Sequence, residues 1–187
     1  MANAILVPSK IMATDVGSLN RSVVSGSSTD INQGGMFKLS SSVVSASSGY
    51  TEVWNTVITS GTSDLFDLWM AYSDELVTVT SGTSEYRGPD PDPRNFTNIG
   101  AKVFDAFKPM QGDIILISSD GITGSPSTGA YVNAGSATYT MIWEAARAGS
   151  ATSFKLLEET YISIGTGLID TQRVLAYRLE CLGNQPN

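Results

Sequence analysis

The chain has 187 residues, and 11 Lys and Arg stand against 18 Asp and Glu, which gives a formal net charge of -7 at neutral pH. Because binding to a nucleic-acid backbone depends on clustered cations, this balance argues against direct contact with DNA or RNA. The absence of histidine and the presence of one cysteine exclude a Ser-His catalytic pair and an internal disulfide. We therefore expect a protein that is not an enzyme and carries no metal or other cofactor.

The first 20 residues are predicted to form an extended N-terminal arm, and residues 21–187 a single β-rich domain. The apolar positions of the arm are Ile5, Leu6, Val7, Ile11 and Met12. Two interpretations remain open: an edge strand of the domain's own sheet, or an arm that adds to the sheet edge of a partner. The segment lacks the basic start of a secretory signal, and no apolar run approaches the ~18 residues of a membrane span, so we expect neither.

Residues 22–59 alternate short apolar stretches with turns rich in Gly and Ser, which is typical of successive β-strands. Strands are predicted around 23–24, 36–39 and 50–59. The serine-rich stretch 40–48 fits a polar edge strand and a loop equally well.

The stretch from Leu65 to Tyr72 fits two structures. Leu65, Leu68 and Tyr72 have the spacing of a helical face, but Phe66, Leu68 and Met70 alternate as they would in a strand. Turn signals bracket only a short stretch here, and the surroundings are strand-like. The sequence therefore favours a strand.

Three prolines at alternate positions, Pro89, Pro91 and Pro93, fix φ at each site and predict an extended, exposed connection. Further on, the turn at Lys108–Asp113 precedes the β-branched run Ile114–Ile117, which predicts a buried strand.

The C-terminal part is predicted to contain strands at Phe154–Leu157 and Tyr161–Ile164, a turn at Gly165–Gly167, and a last strand at Arg173–Cys181. Apolar residues recur at every second position of the last strand, so that one of its faces would carry Leu175, Tyr177, Leu179 and Cys181. Many short strands with little helix predict a mainly β fold: an antiparallel β-sandwich or barrel of short strands with an extended N-terminal arm.

Acidic residues and tryptophans offer further interpretations. Asp64, Asp67, Asp74 and Glu75 could supply the paired carboxylates of a glycoside hydrolase, and Asp90–Asp92 resembles half of a calcium loop. Acidic residues on surface loops are the simpler interpretation of both. Trp54, Trp69 and Trp143 could line a sugar-binding platform, but tryptophans in a domain of this size more often lie in the core.

Several segments share the pattern of one family. They are Leu68–Ser73, Val77–Thr83 with Tyr86–Gly88, Asp92–Asn98, Phe104–Pro109, Gly112–Ile115 and Leu156–Gly165. Together they resemble the decoration proteins of tailed bacteriophages, which are also called cement or head-stabilising proteins. The N-terminal 50 residues have only the general look of a phage structural protein.

This resemblance implies a structural virion protein, made in the host cytoplasm, that binds the outer capsid surface and stabilises the head by bridging neighbouring capsomers. Its partner would be the major capsid protein, on which such proteins sit as homotrimers or other homo-oligomers, with a terminal arm pairing with capsid strands. The candidate capsid-interface residues are then Ile5, Leu6, Val7, Ile11 and Met12. The alternative is a receptor- or carbohydrate-binding β-module of a head fibre or tail component.

Overall fold

The structure, a computed structural model, describes residues 3–27, 29–43, 52–59, 65–73, 76–81, 84–89, 92–100, 102–135, 139–147, 152–165 and 171–184. Side chains are described for all of these except 41–43, 76–81, 84–89 and 171. Within this part of the chain the fold is mainly β, as predicted.

The strands are β1 (Leu6–Lys10), β2 (Asn20–Ser25), β3 (Met36–Val43), β4 (Val53–Val57), β5 (Trp69–Ala71), β6 (Leu76–Ser81), β7 (Ser84–Pro89), β8 (Phe104–Phe107), β9 (Ile114–Ser118), β10 (Ile122–Thr123), β11 (Tyr131–Ala134), β12 (Met141–Glu144), β13 (Ser153–Gly165) and β14 (Thr171–Gly183). Short 3-10 helices span Met12–Thr14, Gly17–Leu19, Pro93–Asn95 and Ser119–Gly121.

The strands form a closed barrel and an open sheet. The barrel has the order β2-β4-β3-β5-β8, and the seven-stranded sheet has the order β1-β9-β14-β13-β11-β12-β10. Strands β6 and β7 form a separate hairpin. Pairing is antiparallel except between β2 and β4 and between β10 and β12. The predicted sandwich-or-barrel class is therefore confirmed.

The barrel encloses a small apolar core of its own. Val23 lies beside Trp54 in the parallel pair and opposite Phe104 in the antiparallel one, so the three side chains share the inner face. Phe37 and Phe104 meet edge to face with ring centroids 6.0 Å apart. This packing fills the barrel with side chains, as expected for a barrel of so few strands.

The main core lies between the outer flank of the barrel and one face of the sheet. The barrel contributes Met36, Met70 and Phe107, and the sheet contributes residues of β1, β9, β13 and β14; all of them are buried in one cluster. Burial of each such side chain contributes about 1.5–3 kcal/mol. The shared cluster therefore holds the barrel and the sheet together.

Only part of the stretch from Leu65 to Tyr72 forms a strand. The strand covers Trp69–Ala71, whereas residues 65–68 are irregular and Asp67 has a φ of 58°. The backbone of Leu68 is hydrogen-bonded by the side chain of Asn184 at both its N–H and its C=O. Strand pairing is not needed to satisfy these groups, so the chain can turn sharply before β5.

Two other predicted boundaries are wrong. The strands predicted at Phe154–Leu157 and Tyr161–Ile164 are one strand, β13, which pairs with β14 along its whole length through a bulge between Leu156 and Glu158. The bulge absorbs a break in alternation that looks like an interruption in the sequence. The predicted extended, exposed connection instead contains a 3-10 helix at Pro93–Asn95 with Asp92 as its N-cap, because proline is well suited to the first helical position.

Candidate functional site

The five candidate capsid-interface residues lie in two environments, some buried in the protein's own cores and some exposed. Ile5 and Leu6 are 2% exposed and belong to the protein's own cores. Val7 and Met12 are 42% and 46% exposed, and Ile11 is half-buried. A role in capsid contact stays a prediction for all five, but Ile5 and Leu6 could play it only if β1 left its sheet.

Strand β1 is the edge strand of the seven-stranded sheet, which is the first of the two alternatives left open by the sequence. It pairs antiparallel with β9, and Ile5 and Ser118 exchange hydrogen bonds of 2.9 Å just before the strand. The Asp113 carboxylate accepts a bond from the backbone N–H of Met12 at 2.9 Å, which fixes the following 3-10 helix. Pro8 and Lys10 are residues that disfavour pairing of an edge with another chain.

Strands β13 and β14 extend beyond both of their neighbours. They pair with each other from Ser153 to Gly165, whereas β9 pairs with β14 only over Ala176–Glu180 and β11 pairs with β13 only over Ser153–Lys155. Residues 161–165 and 171–175 thus form a two-stranded ribbon about 16 Å long at roughly 3.3 Å per residue. Among the described residues no other strand pairs with its edges, and we call this segment the ribbon.

The two faces of the ribbon differ. Ile162, Ile164 and Val174 lie on one face and pack with Ile5, which holds the ribbon against the body of the protein. The opposite face carries the exposed residues Tyr161, Ser163 and Arg173, and Leu175, which is half-buried against the main core. Tyr161 is 49% exposed, and the Arg173 guanidinium carbon lies 4.7 Å from its ring centroid. The ribbon therefore presents an aromatic ring beside a cation on an exposed sheet surface.

A cleft of about 1020 Å³ lies beside the barrel, next to Ile11 and the 3-10 helix at Met12–Thr14. Its wall includes Arg21, Glu52, Trp54, Tyr72, Ser73 and Asp105, contributed by β2, β8, the start of β4 and the residues that follow β5. We call it the barrel cleft. It brings together three aromatic rings (Trp54, Tyr72 and the buried Phe107), two carboxylates and one guanidinium.

Hydrogen bonds fix the polar wall of the barrel cleft. The Asp105 carboxylate accepts a bond from the Ser22 hydroxyl at 3.0 Å, and the Asp105 N–H donates to the Ser73 hydroxyl at 2.8 Å. The Arg21 guanidinium donates to the backbone oxygen of Asn20 at 3.0 Å and lies 5.6 Å from the Trp69 ring centroid. These groups are held in place before any ligand binds.

The three tryptophans do not form a platform together. Trp69 is 9% exposed inside the barrel, and Trp143 packs against the main core. Of the three tryptophans only Trp54 lines the barrel cleft, together with Tyr72 and Phe107. The core interpretation is thus confirmed for Trp69, and the three tryptophans do not share one surface.

The acidic residues singled out in the sequence are only partly described. Asp92 forms an ion pair with Arg94 at 2.7 Å, and this hydrogen-bonded guanidinium lowers the pKa of the Asp92 carboxyl. Asp67 forms an ion pair with Lys108. Asp64, Asp74, Glu75 and Asp90 lie outside the described residues. For Asp92 and Asp67 the ion pairs fit surface acidic residues, as favoured from the sequence.

Cys181 is a core residue, as predicted. It is 1% exposed, and burial raises the pKa of its thiol to about 12. Such a thiol is protonated at neutral pH and is a poor nucleophile. Burial also raises the pKa of the Tyr177 hydroxyl, on the same face of β14.

The described part of the chain contains no group of three or more Cys, Asp and Glu side chains placed to hold a metal ion. None of its helices is long and apolar enough to cross a membrane.

Comparisons with protein-family models, with curated proteins and with solved structures found no match for this chain. The functional interpretation therefore starts from the molecule's own surfaces.

Sequence reasoning missed both the ribbon and the barrel cleft. The ribbon forms because β13 and β14 extend beyond the strands that pair with them. The length of a strand relative to its neighbour has no local signal in the sequence. The barrel cleft joins Arg21, Tyr72 and Asp105, which are far apart in sequence and meet only through the pairing of β8 with β2 and β5. Trp54, singled out in the sequence as part of a sugar-binding platform, was the available clue to the barrel cleft.

Proposed function

We propose that this protein is a structural virion protein that binds the outer surface of a tailed-phage capsid and stabilises the head by bridging neighbouring capsomers. The resemblance to decoration proteins suggests this role, and the ribbon is the structural observation that supports it. The last of the resembling segments, Leu156–Gly165, lies within β13 and includes the first strand of the ribbon, residues 161–165.

The ribbon has the properties of a docking element. Strand edges without a partner offer backbone donors and acceptors to an added strand. Tyr161 and Arg173 are residue types enriched at protein interfaces, and here they contact each other on the exposed face. Because Ile162, Ile164 and Val174 hold the other face to the body, force on the ribbon would be transmitted to the folded domain.

Attachment would be multivalent. A homotrimer or other homo-oligomer carries several ribbons, so that many weak contacts with the major capsid protein add up to firm binding. Binding across capsomer boundaries would then resist outward pressure without any bond being made or broken.

The test adds purified protein to heads of the encoding phage that lack it and separates bound from free protein on a sucrose gradient. Wild-type protein is expected to sediment with the heads and to saturate. Tyr161→Ala and Arg173→Ala are expected to weaken binding by about tenfold each, the scale of an interface residue that contributes about 1.4 kcal/mol.

Tyr72→Ala is the matched control, since Tyr72 is also an exposed tyrosine but lies in the barrel cleft. It should bind heads like the wild type. Failure of the wild-type protein to bind heads would refute the proposed function, and undiminished binding by both ribbon variants would refute the role of the ribbon.

A second candidate function is a receptor- or carbohydrate-binding module of a head fibre or tail component. The barrel cleft favours it, because its aromatic and carboxylate groups suit a polyhydroxylated ligand.

A further inference from the structure

We infer that the barrel cleft binds a neutral oligosaccharide. The inference rests on the second candidate function and not on capsid attachment, because the barrel cleft and the ribbon consist of different residues on different elements.

The aromatic residues provide two supported rings. Tyr72 is 39% exposed, yet its ring meets that of Phe107 edge to face with centroids 6.3 Å apart. Phe107 is 1% exposed, so the ring behind Tyr72 is part of the main core. Trp54 is half-buried and packs against the barrel core. Rings held in this way lose little entropy when the apolar face of a sugar stacks on them.

The polar residues suit hydroxyl groups. The Asp105 carboxylate uses one acceptor site for Ser22 and has others left, and the Arg21 guanidinium has further N–H donors beyond the one given to Asn20. Glu52 adds a second, exposed carboxylate. A sugar hydroxyl both donates and accepts, so it can satisfy carboxylate and guanidinium groups together.

Charge and size narrow the ligand class. The described residues of the wall carry one cation, Arg21, against two carboxylates, Glu52 and Asp105, and the chain itself has a net charge of -7. Phosphorylated or sialylated ligands would be repelled. A volume of about 1020 Å³ lies at the upper end of the roughly 300–1,000 Å³ of ligand pockets, which favours several sugar units over one.

The experiment measures binding of the full chain to a printed array of neutral and acidic glycans, followed by calorimetry with cellohexaose, maltohexaose, chitohexaose and any glycan that the array identifies. At least one neutral glycan is expected to bind. Tyr72→Ala, Trp54→Ala and Asp105→Asn are expected to weaken its binding at least tenfold.

Matched controls lie outside the barrel cleft. Tyr161→Ala and Asp120→Asn remove the same groups from exposed positions and should leave binding unchanged. Near-UV circular dichroism checks folding, and the isosteric Asp105→Asn tests the site even if Trp54→Ala does not fold. No binding of any neutral glycan at millimolar concentration, a preference for acidic glycans, or full binding by Tyr72→Ala and Asp105→Asn would overturn the inference.

Discussion

Asn184 shows how one polar side chain links distant parts of the chain. It is 1% exposed, and its Oδ1 accepts bonds from the Leu68 N–H at 2.8 Å and the Thr152 hydroxyl at 2.5 Å. Its Nδ2 donates to the backbone oxygens of Leu68 at 2.7 Å and Pro109 at 3.0 Å. All the hydrogen-bonding capacity of the amide is used. The end of β14 is thereby tied to the segments before β5 and after β8.

Asn184→Asp is expected to lower the free energy of unfolding by about 3 kcal/mol or more. The new oxygen faces two backbone carbonyl oxygens, which leaves unpaired acceptors and a buried charge. Urea unfolding measures the change. Asn95→Asp, the same substitution at an exposed position, should change stability by no more than about 0.5 kcal/mol. Equal effects at the two positions would contradict the assigned role of Asn184.

Alanine substitutions at Gly34 and Gly112 distinguish the cost of backbone strain from the cost of a steric contact. Both have positive φ, 76° and 89° respectively. A Cβ at Gly34 would lie 2.5 Å from Cδ1 of Ile117, whereas a Cβ at Gly112 would meet nothing within 4 Å. Gly112→Ala should therefore cost about 1–2 kcal/mol from the backbone alone. Gly34→Ala should lower the free energy of unfolding by more, because Ile117 is buried between the sheet and the barrel and must shift. Equal losses of stability for the two variants in thermal or urea unfolding would exclude an effect of this contact.

The ion pair of Asp92 with Arg94 predicts a pH dependence. The folded-state pKa of Asp92 is lowered, so its contribution to stability is present above the unfolded value of about 3.9 and is lost as pH falls through the folded value. Asp92→Asn keeps an N-cap but removes the charge. We expect this variant to have a free energy of unfolding less than about 1 kcal/mol below that of the wild type at pH 7, since the ion pair is near the surface. At low pH the two proteins should be equally stable. A loss that is the same at pH 7 and at pH 2.5 would contradict this.

At the scale of the element, β1 decides how the N-terminal segment is understood. Ala4, Ile5 and Leu6 are each no more than 2% exposed. Removing them would expose the sheet and leave β9 without its edge partner. The N-terminal segment is thus part of the fold, even if its exposed residues also contact a partner.

Ile5→Ala is expected to destabilise the protein by about 2–4 kcal/mol, the usual cost of truncating a buried aliphatic side chain. Val7→Ala, two positions further along the chain, should cost under about 1 kcal/mol because Val7 is 42% exposed. Thermal and urea unfolding of the two variants give the comparison. If Ile5→Ala unfolds like the wild type, β1 does not pack as the structure has it.

Strands with regular alternation were predictable and irregular ones were not. The alternation of β14 placed Leu175, Tyr177, Leu179 and Cys181 correctly on the main-core side. The short β8 was not predicted, because the apolar residues around it have no clear period. The bulge in β13 broke the pattern on which the strand prediction depended.

At the scale of the whole molecule, composition and turn spacing predicted the fold class but not its topology. Barrel closure requires β2 to pair with both β4 and β8, which joins residues about 30 and 85 positions apart. No local pattern encodes such pairings. The barrel cleft follows from these pairings, and the ribbon follows from the length by which β13 and β14 extend beyond β9 and β11, so neither surface could be derived from the sequence.

The proposed function rests on attachment of many copies to an assembled head. Quantitative mass spectrometry of gradient-purified virions of the encoding phage tests it most directly, by measuring the copy ratio of this chain to the major capsid protein. We predict a ratio that is constant across preparations and survives washing. Absence of the chain from virions, or a ratio that varies between preparations, would contradict the proposed function.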